Sequence, residues 1–169
     1  MGDVERPLRK VVCMMGLPRS GKTTVARRLS KILGVPIVNR DSIRLALHGQ
    51  RYQKSAEPMV KAIALVMVRA LFEAGHSVVI VDETNVRRST RDFRRSDDWV
   101  TEILSVFALP EVCLRRAGAA NDEVIQSVIM NMVDTFERLE LNEKRFDLNA
   151  YPEVRKLVEE STSGVDISG

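Results

Sequence analysis

The fold of this chain is decided by the stretch Gly16-Leu17-Pro18-Arg19-Ser20-Gly21-Lys22-Thr23. It fits the pattern G-x-x-x-x-G-K-[ST], whose glycines allow several backbone N–H groups to converge on phosphate oxygens. A short apolar run at residues 11–15 precedes the stretch, and apolar residues at helical spacing follow it. Because the match lies between a predicted strand and a predicted helix, we predict a phosphate-binding loop rather than an incidental glycine turn.

The residue types within this loop predict how a nucleoside triphosphate would be held. Lys22 is expected to reach the β- and γ-phosphates as a point charge, and the Thr23 hydroxyl is expected to bind Mg²⁺. The amino-terminal end of the following helix adds a partial positive charge. The sequence therefore predicts ATP as co-substrate together with Mg²⁺. The expected nucleotide-binding residues are Gly16, Pro18, Arg19, Ser20, Gly21, Lys22, Thr23 and Thr24.

Apolar runs and helical patterns alternate outward from the loop. Further strands are predicted at residues 36–39, 78–81, 103–109 and 146–148, and Pro58 opens a long helix. The four β-branched residues at 78–81 are typical of a strand in the middle of a sheet. The alternation predicts an α/β protein with a three-layer P-loop NTPase or kinase fold, in which helices cover both faces of a parallel sheet.

Length and composition bound the organisation of the chain. Its 169 residues, 44% of them hydrophobic, suffice for one core, so we expect a single domain over residues 1–169 with a flexible tail at 161–169. Two cysteines without metal-ligand spacing are expected to be buried and reduced. The most apolar stretch, 59–72, is shorter than the roughly 20 residues that span a bilayer. With no apolar signal region, we expect a cytoplasmic protein, or one in a host cytoplasm if phage-encoded, without a membrane partner.

Asp41 and Arg44 follow the second predicted strand, one helical turn apart and hence on one side of a helix. In a parallel sheet, strand ends point into one crevice beside the phosphates. There, a carboxylate can accept the proton of an attacking hydroxyl while the arginine fixes a phosphate. Asp41 is equally compatible with a helix cap joined to Arg44 by a surface ion pair. The two residues alone leave both interpretations open.

The third predicted strand ends on Asp82-Glu83-Thr84-Asn85. An apolar run that delivers an acid to this edge predicts a group that holds metal-bound water, with Asp82 and Glu83 as equal candidates. Thr84 and Asn85 are candidates for positioning the acceptor or nearby loops. Polar turn residues are common after strands, so a purely local role for this turn is the alternative.

Five arginines recur at helical spacing within a helix predicted at residues 87–98. A basic face of this kind would bind phosphates of nucleic acid through the backbone, and Arg88 is the candidate we select from it. A solvated charged surface is the alternative, because charge runs on helices commonly have that role. The five residues are Arg87, Arg88, Arg91, Arg94 and Arg95.

Together with the loop, Asn39-Arg40-Asp41-x-x-Arg44 and Glu83-Thr84-Asn85 resemble the kinase domain of polynucleotide 5′-kinases. The resemblance covers about residues 10–148, which we take as the core of the domain. It implies that Asp41 is the general base and that Arg44, with Arg40 beside it, binds the acceptor phosphate.

The same family carries a lid with arginines over the transferring phosphate. The resemblance places this lid at about residues 115–121, with Arg115 and Arg116 as candidate catalytic residues. Residues 117–120 lack the further arginine that the family pattern contains. We expect residues 118–121 to be small and flexible.

The resemblance extends to phage kinases that phosphorylate 5-hydroxymethyluracil in DNA. It implies transfer of the γ-phosphoryl group of ATP to a primary hydroxyl of nucleic acid, DNA in preference to RNA. The acceptor would be a polynucleotide 5′-hydroxyl or the hydroxymethyl group of the base. Two other classes stay open: a kinase of a small metabolite, nucleoside or antibiotic, and an NTPase switch subunit. The sequence leaves the oligomeric state open.

Overall fold

A computed structural model of the protein describes residues 8–164, and a parallel β-sheet of four strands lies at its centre. The strand order is β2-β3-β1-β4, and all three neighbouring pairs are parallel. The two inner strands are the most apolar runs, in keeping with burial on both faces. The strands are β1 (Lys10–Met15), β2 (Ile37–Asn39), β3 (Val78–Asp82) and β4 (Val100–Ser105).

Helices cover both faces of this sheet, because successive strand residues point to opposite sides. Val12 and Met14 of β1 pack with buried residues of α1 and α7, whereas Val11 and Cys13 pack with buried residues of α3. The predicted three-layer α/β P-loop kinase fold is confirmed. The helices are α1 (Lys22–Leu33), α2 (Arg40–His48), α3 (Glu57–Glu73), α4 (Arg88–Asp92), α5 (Pro110–Ala119), α6 (Glu123–Asp134) and α7 (Pro152–Thr162).

The helix predicted at residues 87–98 is wrong in its length, since α4 ends at Asp92. The carbonyl of Arg94 accepts hydrogen bonds from Trp99 Nε1 at 3.0 Å and from Thr101 Oγ1 at 2.9 Å. These side chains occupy an acceptor that a longer helix would use for its own ladder. Buried tertiary contacts therefore override the helical spacing of the arginines.

Two predicted strand positions also differ from the structure. The fourth strand lies at Val100–Ser105 rather than at 103–109, and at residues 146–148 no strand forms. The chain makes an isolated parallel bridge from Arg145 to Ile103 and then enters a 3₁₀ turn at Leu148–Ala150. Its Asp147 side chain accepts from Asn149 N, which favours a turn over an extended strand.

The segment predicted as a flexible lid is largely helical. α5 continues through Ala119, and only residues 120–122 separate it from α6. The buried side of α6 carries Ile129, whereas Val124, in its first turn, is 72% exposed. The lid is thus a pair of packed helices joined by a short turn.

Three further expectations concern the ends and the apolar residues. α7 extends to Thr162, and residues 165–169 of the predicted tail lie outside the described residues. Cys13 and Cys113 are buried free thiols, and burial raises the pKa of Cys13 to about 12. Within residues 8–164, each helix is too short or too polar to cross a bilayer.

Candidate active site

The loop between β1 and α1 is held between the carboxyl ends of the neighbouring strands. Gly16 N donates to the Thr84 carbonyl at 2.9 Å. A Cβ added at Gly16, where φ is 155°, would lie 2.3 Å from the Val106 carbonyl oxygen. Gly21, with φ at 102°, leads into α1. Glycine is therefore required by close backbone approach at the first position and by backbone conformation at both.

Polar groups inside the loop fit a phosphate. Ser20 is fully buried, and its Oγ has no hydrogen-bond partner within the described part of the chain. Lys22 is 7% exposed, and its Nζ donates to the Leu17 carbonyl at 2.6 Å. Pro18 is half-buried, Arg19 is exposed with φ at 63°, and Thr24 lies in the first turn of α1. A buried hydroxyl without a partner beside a buried ammonium is suited to an anionic ligand.

The environment of Lys22 shifts its titration. Burial lowers its pKa from 10.5 to about 8, against the attraction of Asp82, which raises it. The folded-state pKa lies below the unfolded one, so burying the charged form disfavours folding at pH values below about 8. That cost is relieved as the pH rises from about 8 toward 10.5, where the folded protein carries the neutral amine.

ATP affinity is therefore expected to fall as the pH rises above about 8, because the triphosphate attracts the ammonium form. Binding in that range should take up a proton at Lys22, since the phosphates raise its pKa. Calorimetry in two buffers with different ionisation enthalpies measures the uptake. Lys22→Met is the control and should lose it. A wild-type protein that binds ATP without proton uptake above this pH would contradict the assignment.

Asp82 lies beside the loop threonine. Its Oδ2 accepts from Thr23 Oγ1 at 2.8 Å and from Asn39 Nδ2 at 3.0 Å, and the residue is 5% exposed. Hydroxyl and carboxylate oxygens are ligands that Mg²⁺ accepts, often through water and together with substrate phosphates. Within residues 8–164, no three His, Cys, Asp or Glu side chains form a metal-binding group of their own. The geometry thus fits Mg²⁺ held between this pair and a bound triphosphate.

Glu83, the other acid, is turned to a different set of partners. It is 8% exposed, and its carboxylate pairs with Arg94 and, at 3.4 Å, with Arg40. The sequence leaves open which of the two acids holds metal-bound water, but their contacts in the structure differ. Asp82 is next to Thr23, whereas Glu83 anchors two arginines.

Asp41 lies at the start of α2, in its first turn. The cap of this helix is Asn39, whose Oδ1 accepts from Ser42 N at 2.8 Å, so the suggested capping role of Asp41 is wrong. The Asp41 side chain is 66% exposed, and it accepts from Arg44 Nη1 at 2.6 Å. It also contributes to the electrostatic environment of Lys22. Asp41 is thus an accessible carboxylate just after the carboxyl end of β2, the strand whose last residue lies beside Asp82.

Arg44 has a second, stronger partner that the sequence analysis missed. Glu57 accepts from Arg44 Nε at 2.6 Å and from Arg44 Nη2 at 2.8 Å, and it also pairs with Arg40. The hydrogen bonds from Arg44 lower the pKa of Glu57, against burial, which raises it. The sequence offered one signal for Glu57, because it lies immediately before Pro58 in the first turn of α3, where an acidic residue is favoured by the helix dipole.

The turn after β3 supports the loop. Asn85 is 1% exposed with φ at 45°, and its Nδ2 donates to the Met14 carbonyl at 2.8 Å. The Thr84 carbonyl accepts the hydrogen bond from Gly16 N. Arg88 pairs with Asp92 at 3.3 Å and with Glu140. The contacts of Asn85 and Arg88 are thus with the protein itself.

The two candidate lid arginines occupy different surroundings. Arg116 Nη1 donates to the Arg19 carbonyl at 3.0 Å, so it reaches the phosphate-binding loop. Arg115 of α5 is exposed, and its side chain reaches Gly164, just after the end of α7. Its Nη2 lies 3.6 Å from the position that a Cβ would take at this glycine. Arg116 is therefore the lid arginine that the structure brings to the loop.

Asp122, at the cap of α6, joins the lid to both sides of the site. It accepts from Arg19 Nη2 at 3.2 Å and from Arg51 Nη1 at 2.5 Å. Burial acts to raise the pKa of Asp122, but the bonds from Arg51 and Arg19 outweigh it and the pKa is lowered. Sequence analysis missed this bridge because its three residues lie far apart along the chain.

Comparison with known proteins places this arrangement in a family. The model of a family described as AAA domain matches residues 11–139. Among curated proteins, none matches the chain significantly.

Several solved structures share the fold. A gluconokinase from Sinorhizobium meliloti is 22% identical over 94% of this chain and 91% of that chain, with a TM-score of 0.59. A sugar kinase from Janibacter sp. is 24% identical over 96% of each chain, with a TM-score of 0.61. A chain of the Pnkp1/Rnl/Hen1 complex is 21% identical over 86% of this chain and 46% of that chain, with a TM-score of 0.53.

The chain belongs to the AAA domain family, and it has the three-layer α/β fold that the P-loop kinases share.

Proposed function

We propose that this protein transfers the γ-phosphoryl group of ATP to a hydroxyl of a small-molecule acceptor. The observation that carries the proposal is the position of Asp41, an exposed carboxylate two residues after Asn39, whose side chain donates to Asp82 at 3.0 Å beside the phosphate-binding loop. A carboxylate on the acceptor side of a phosphate-binding loop is what a kinase needs and what simple hydrolysis does not explain.

Each residue then has a role in positioning or charge. Lys22 binds the β- and γ-phosphates, while Thr23 and Asp82 hold Mg²⁺, which when bound neutralises phosphate charge. Arg116 approaches the transferring group from the lid. Asp41 accepts the proton of the acceptor hydroxyl as the phosphoryl group is transferred.

A small acceptor is favoured over nucleic acid because two of the five arginines of the predicted basic face are buried, which leaves Arg87 and Arg95 exposed. Arg91 is 1% exposed and Arg94 is 2% exposed, both in ion pairs with glutamates. Buried, paired arginines cannot contact the backbone of a nucleic acid that lies on the protein surface. The gluconokinase and the sugar kinase that share the fold support the same preference, since both are named as kinases of small molecules.

Nucleic acid is the second candidate, favoured by the ion pair between Asp41 and Arg44. That pair has the spacing of the polynucleotide kinases that the chain resembles. Arg44 would have to exchange one of its bonds to Glu57 or Asp41 for an acceptor phosphate.

ATP labelled at the γ-phosphate distinguishes these possibilities. Separate reactions would contain sugars and sugar acids, nucleosides, antibiotics, a 5′-hydroxyl oligonucleotide, and DNA with 5-hydroxymethyluracil. We expect label to pass to a small molecule, and the reaction to depend on Mg²⁺. Transfer to DNA alone would establish the second candidate. Hydrolysis at full rate without any acceptor would contradict both and favour an NTPase switch.

A further inference from the structure

We infer that a pocket between α2, α3 and α4 binds an oxyanion carried by the acceptor, either a carboxylate or a phosphate. The inference rests on the proposed function for the identity of the ligand, but the pocket can be tested without turnover. Its volume is about 150 Å³. The residues that line this arginine pocket are Arg40, Lys61, Ser89, Thr90, Phe93 and Arg94.

The carboxylates at the base of the arginine pocket are shared. Glu57 pairs with Arg40 and Arg44, and Glu83 pairs with Arg40 and Arg94. Asp41, which also pairs with Arg44, is mostly in solvent and balances the third arginine from outside. Arg94 is 2% exposed and Arg40 is 9% exposed, so these two guanidinium groups are poorly hydrated and depend on acceptors within the protein or on a ligand.

Unused hydrogen-bond donors occur at the same place. Nε and Nη1 of Arg94 and Nε of Arg40 are buried without a hydrogen-bond partner in residues 8–164. Arg94 donates through Nη2 alone, to Glu83. A guanidinium presents its donors in a planar fork that matches two oxygens of one carboxylate or phosphate. A bound oxyanion would supply the missing acceptors.

The remaining lining fits the same ligand. Ser89 and Thr90 add hydroxyl donors, and Lys61 adds an exposed ammonium at the rim. About 150 Å³ is several times the roughly 30 Å³ share of one water molecule, which suffices for one oxyanion group.

A continuous set of ion pairs, from Arg40 to Glu57, then to Arg44 and then to Asp41, connects the pocket to the proposed base. An acceptor anchored in the pocket would therefore have its hydroxyl on the side of Asp41. The acceptor is therefore a hydroxy acid or a phosphorylated alcohol rather than a neutral sugar.

Inorganic phosphate tests the pocket directly. The protein is first saturated with Mg²⁺ and a non-hydrolysable ATP analogue, so that the phosphate-binding loop is occupied, and phosphate is then titrated by calorimetry at constant ionic strength. We expect saturable binding that Arg94→Lys weakens by about tenfold or more, because the amine keeps the charge for Glu83 and loses the fork. Arg95→Lys, an exposed neighbour paired with Asp92, is the matched control and should bind like wild type.

A rim variant keeps the test valid if Arg94→Lys does not fold. Lys61→Gln removes an exposed charge, and we expect it to weaken phosphate binding a few-fold and to reduce its salt dependence. Absence of saturable binding to the wild-type protein would overturn the inference. So would phosphate binding that neither Lys61→Gln nor Arg94→Lys changes.

Turnover with three groups of acceptors identifies the source of the oxyanion. We expect activity with hydroxy acids or with phosphorylated alcohols, and an Arg94→Lys enzyme with raised KM and little change in kcat. Activity confined to neutral sugars, with KM unaffected by Arg94→Lys, would overturn the inference and leave the kinase proposal standing. Phosphate binding that depends on Arg94, without transfer to any acceptor, would support the pocket and contradict the kinase proposal.

Discussion

Replacing Asp41 with asparagine is expected to lower kcat by about 10²–10⁴-fold, the range that general base catalysis contributes. The amide keeps the size of the side chain but cannot take a proton from the acceptor hydroxyl. ATP affinity should change little, because the phosphate contacts assigned to Lys22 and the loop are intact. Steady-state kinetics with the acceptor found in the labelling experiment gives kcat, and calorimetry gives the ATP dissociation constant.

Stability should not confuse the outcome of this substitution. Asp41 is 66% exposed, and exposed ion pairs contribute about 0–1 kcal/mol. Its partner Arg44 also retains two hydrogen bonds to Glu57. Ser42→Ala, an exposed change in the same helical turn, serves as the control. An Asp41→Asn enzyme that turns over at the wild-type rate would remove Asp41 as the base.

Replacing Arg91 with methionine is expected to destabilise the protein by about 3–5 kcal/mol, the cost of leaving one partner of a buried ion pair uncompensated. Arg91 is 1% exposed and binds Glu143 through Nε at 2.6 Å and Nη2 at 3.0 Å. It also donates to the carbonyls of Asn85, Glu137 and Arg138, at 3.1, 3.2 and 3.2 Å. Urea denaturation monitored by circular dichroism measures the free energy of unfolding.

Two further variants make the Arg91 result specific. Arg95→Met removes an arginine from an exposed position and should stay within about 0.5 kcal/mol of wild type. Combining Arg91→Met with Glu143→Leu should recover part of the loss, because no buried charge is then left alone. Equal stabilities for Arg91→Met and Arg95→Met would show that the buried pair contributes nothing.

The Arg91 contacts also connect stability to the site. Its bond to the Asn85 carbonyl fixes the turn after β3, and Asn85 in turn donates to the Met14 carbonyl at the end of β1. The glycine loop begins two residues later, where Gly16 N donates to Thr84. Arg91, one of the arginines predicted to form a nucleic-acid surface, therefore supports the phosphate-binding loop through Asn85.

The sequence by itself determined the phosphate-binding loop, the first three strands of the sheet and the alternation of strands with helices. These features are written locally: in the glycine spacing from Gly16 to Gly21, in the β-branched run of β3, and in the helical spacing after Lys22. Periodicity and backbone preference operate over a few residues, so a sequence pattern can predict them. The ends of helices and strands were less predictable. The helix α4 ends at Asp92, and the Arg94 carbonyl accepts hydrogen bonds from the side chains of Trp99 and Thr101 instead of continuing the helix.

Only the tertiary structure decided which charged groups meet. It placed Asp82 rather than Glu83 against Thr23, gave Arg44 the partner Glu57, and buried Arg91 and Arg94. These pairs join residues as many as 59 positions apart, from Thr23 to Asp82, and no local pattern encodes such a contact. Burial then decides what each charge does, because a desolvated arginine must find a partner whereas an exposed one need not.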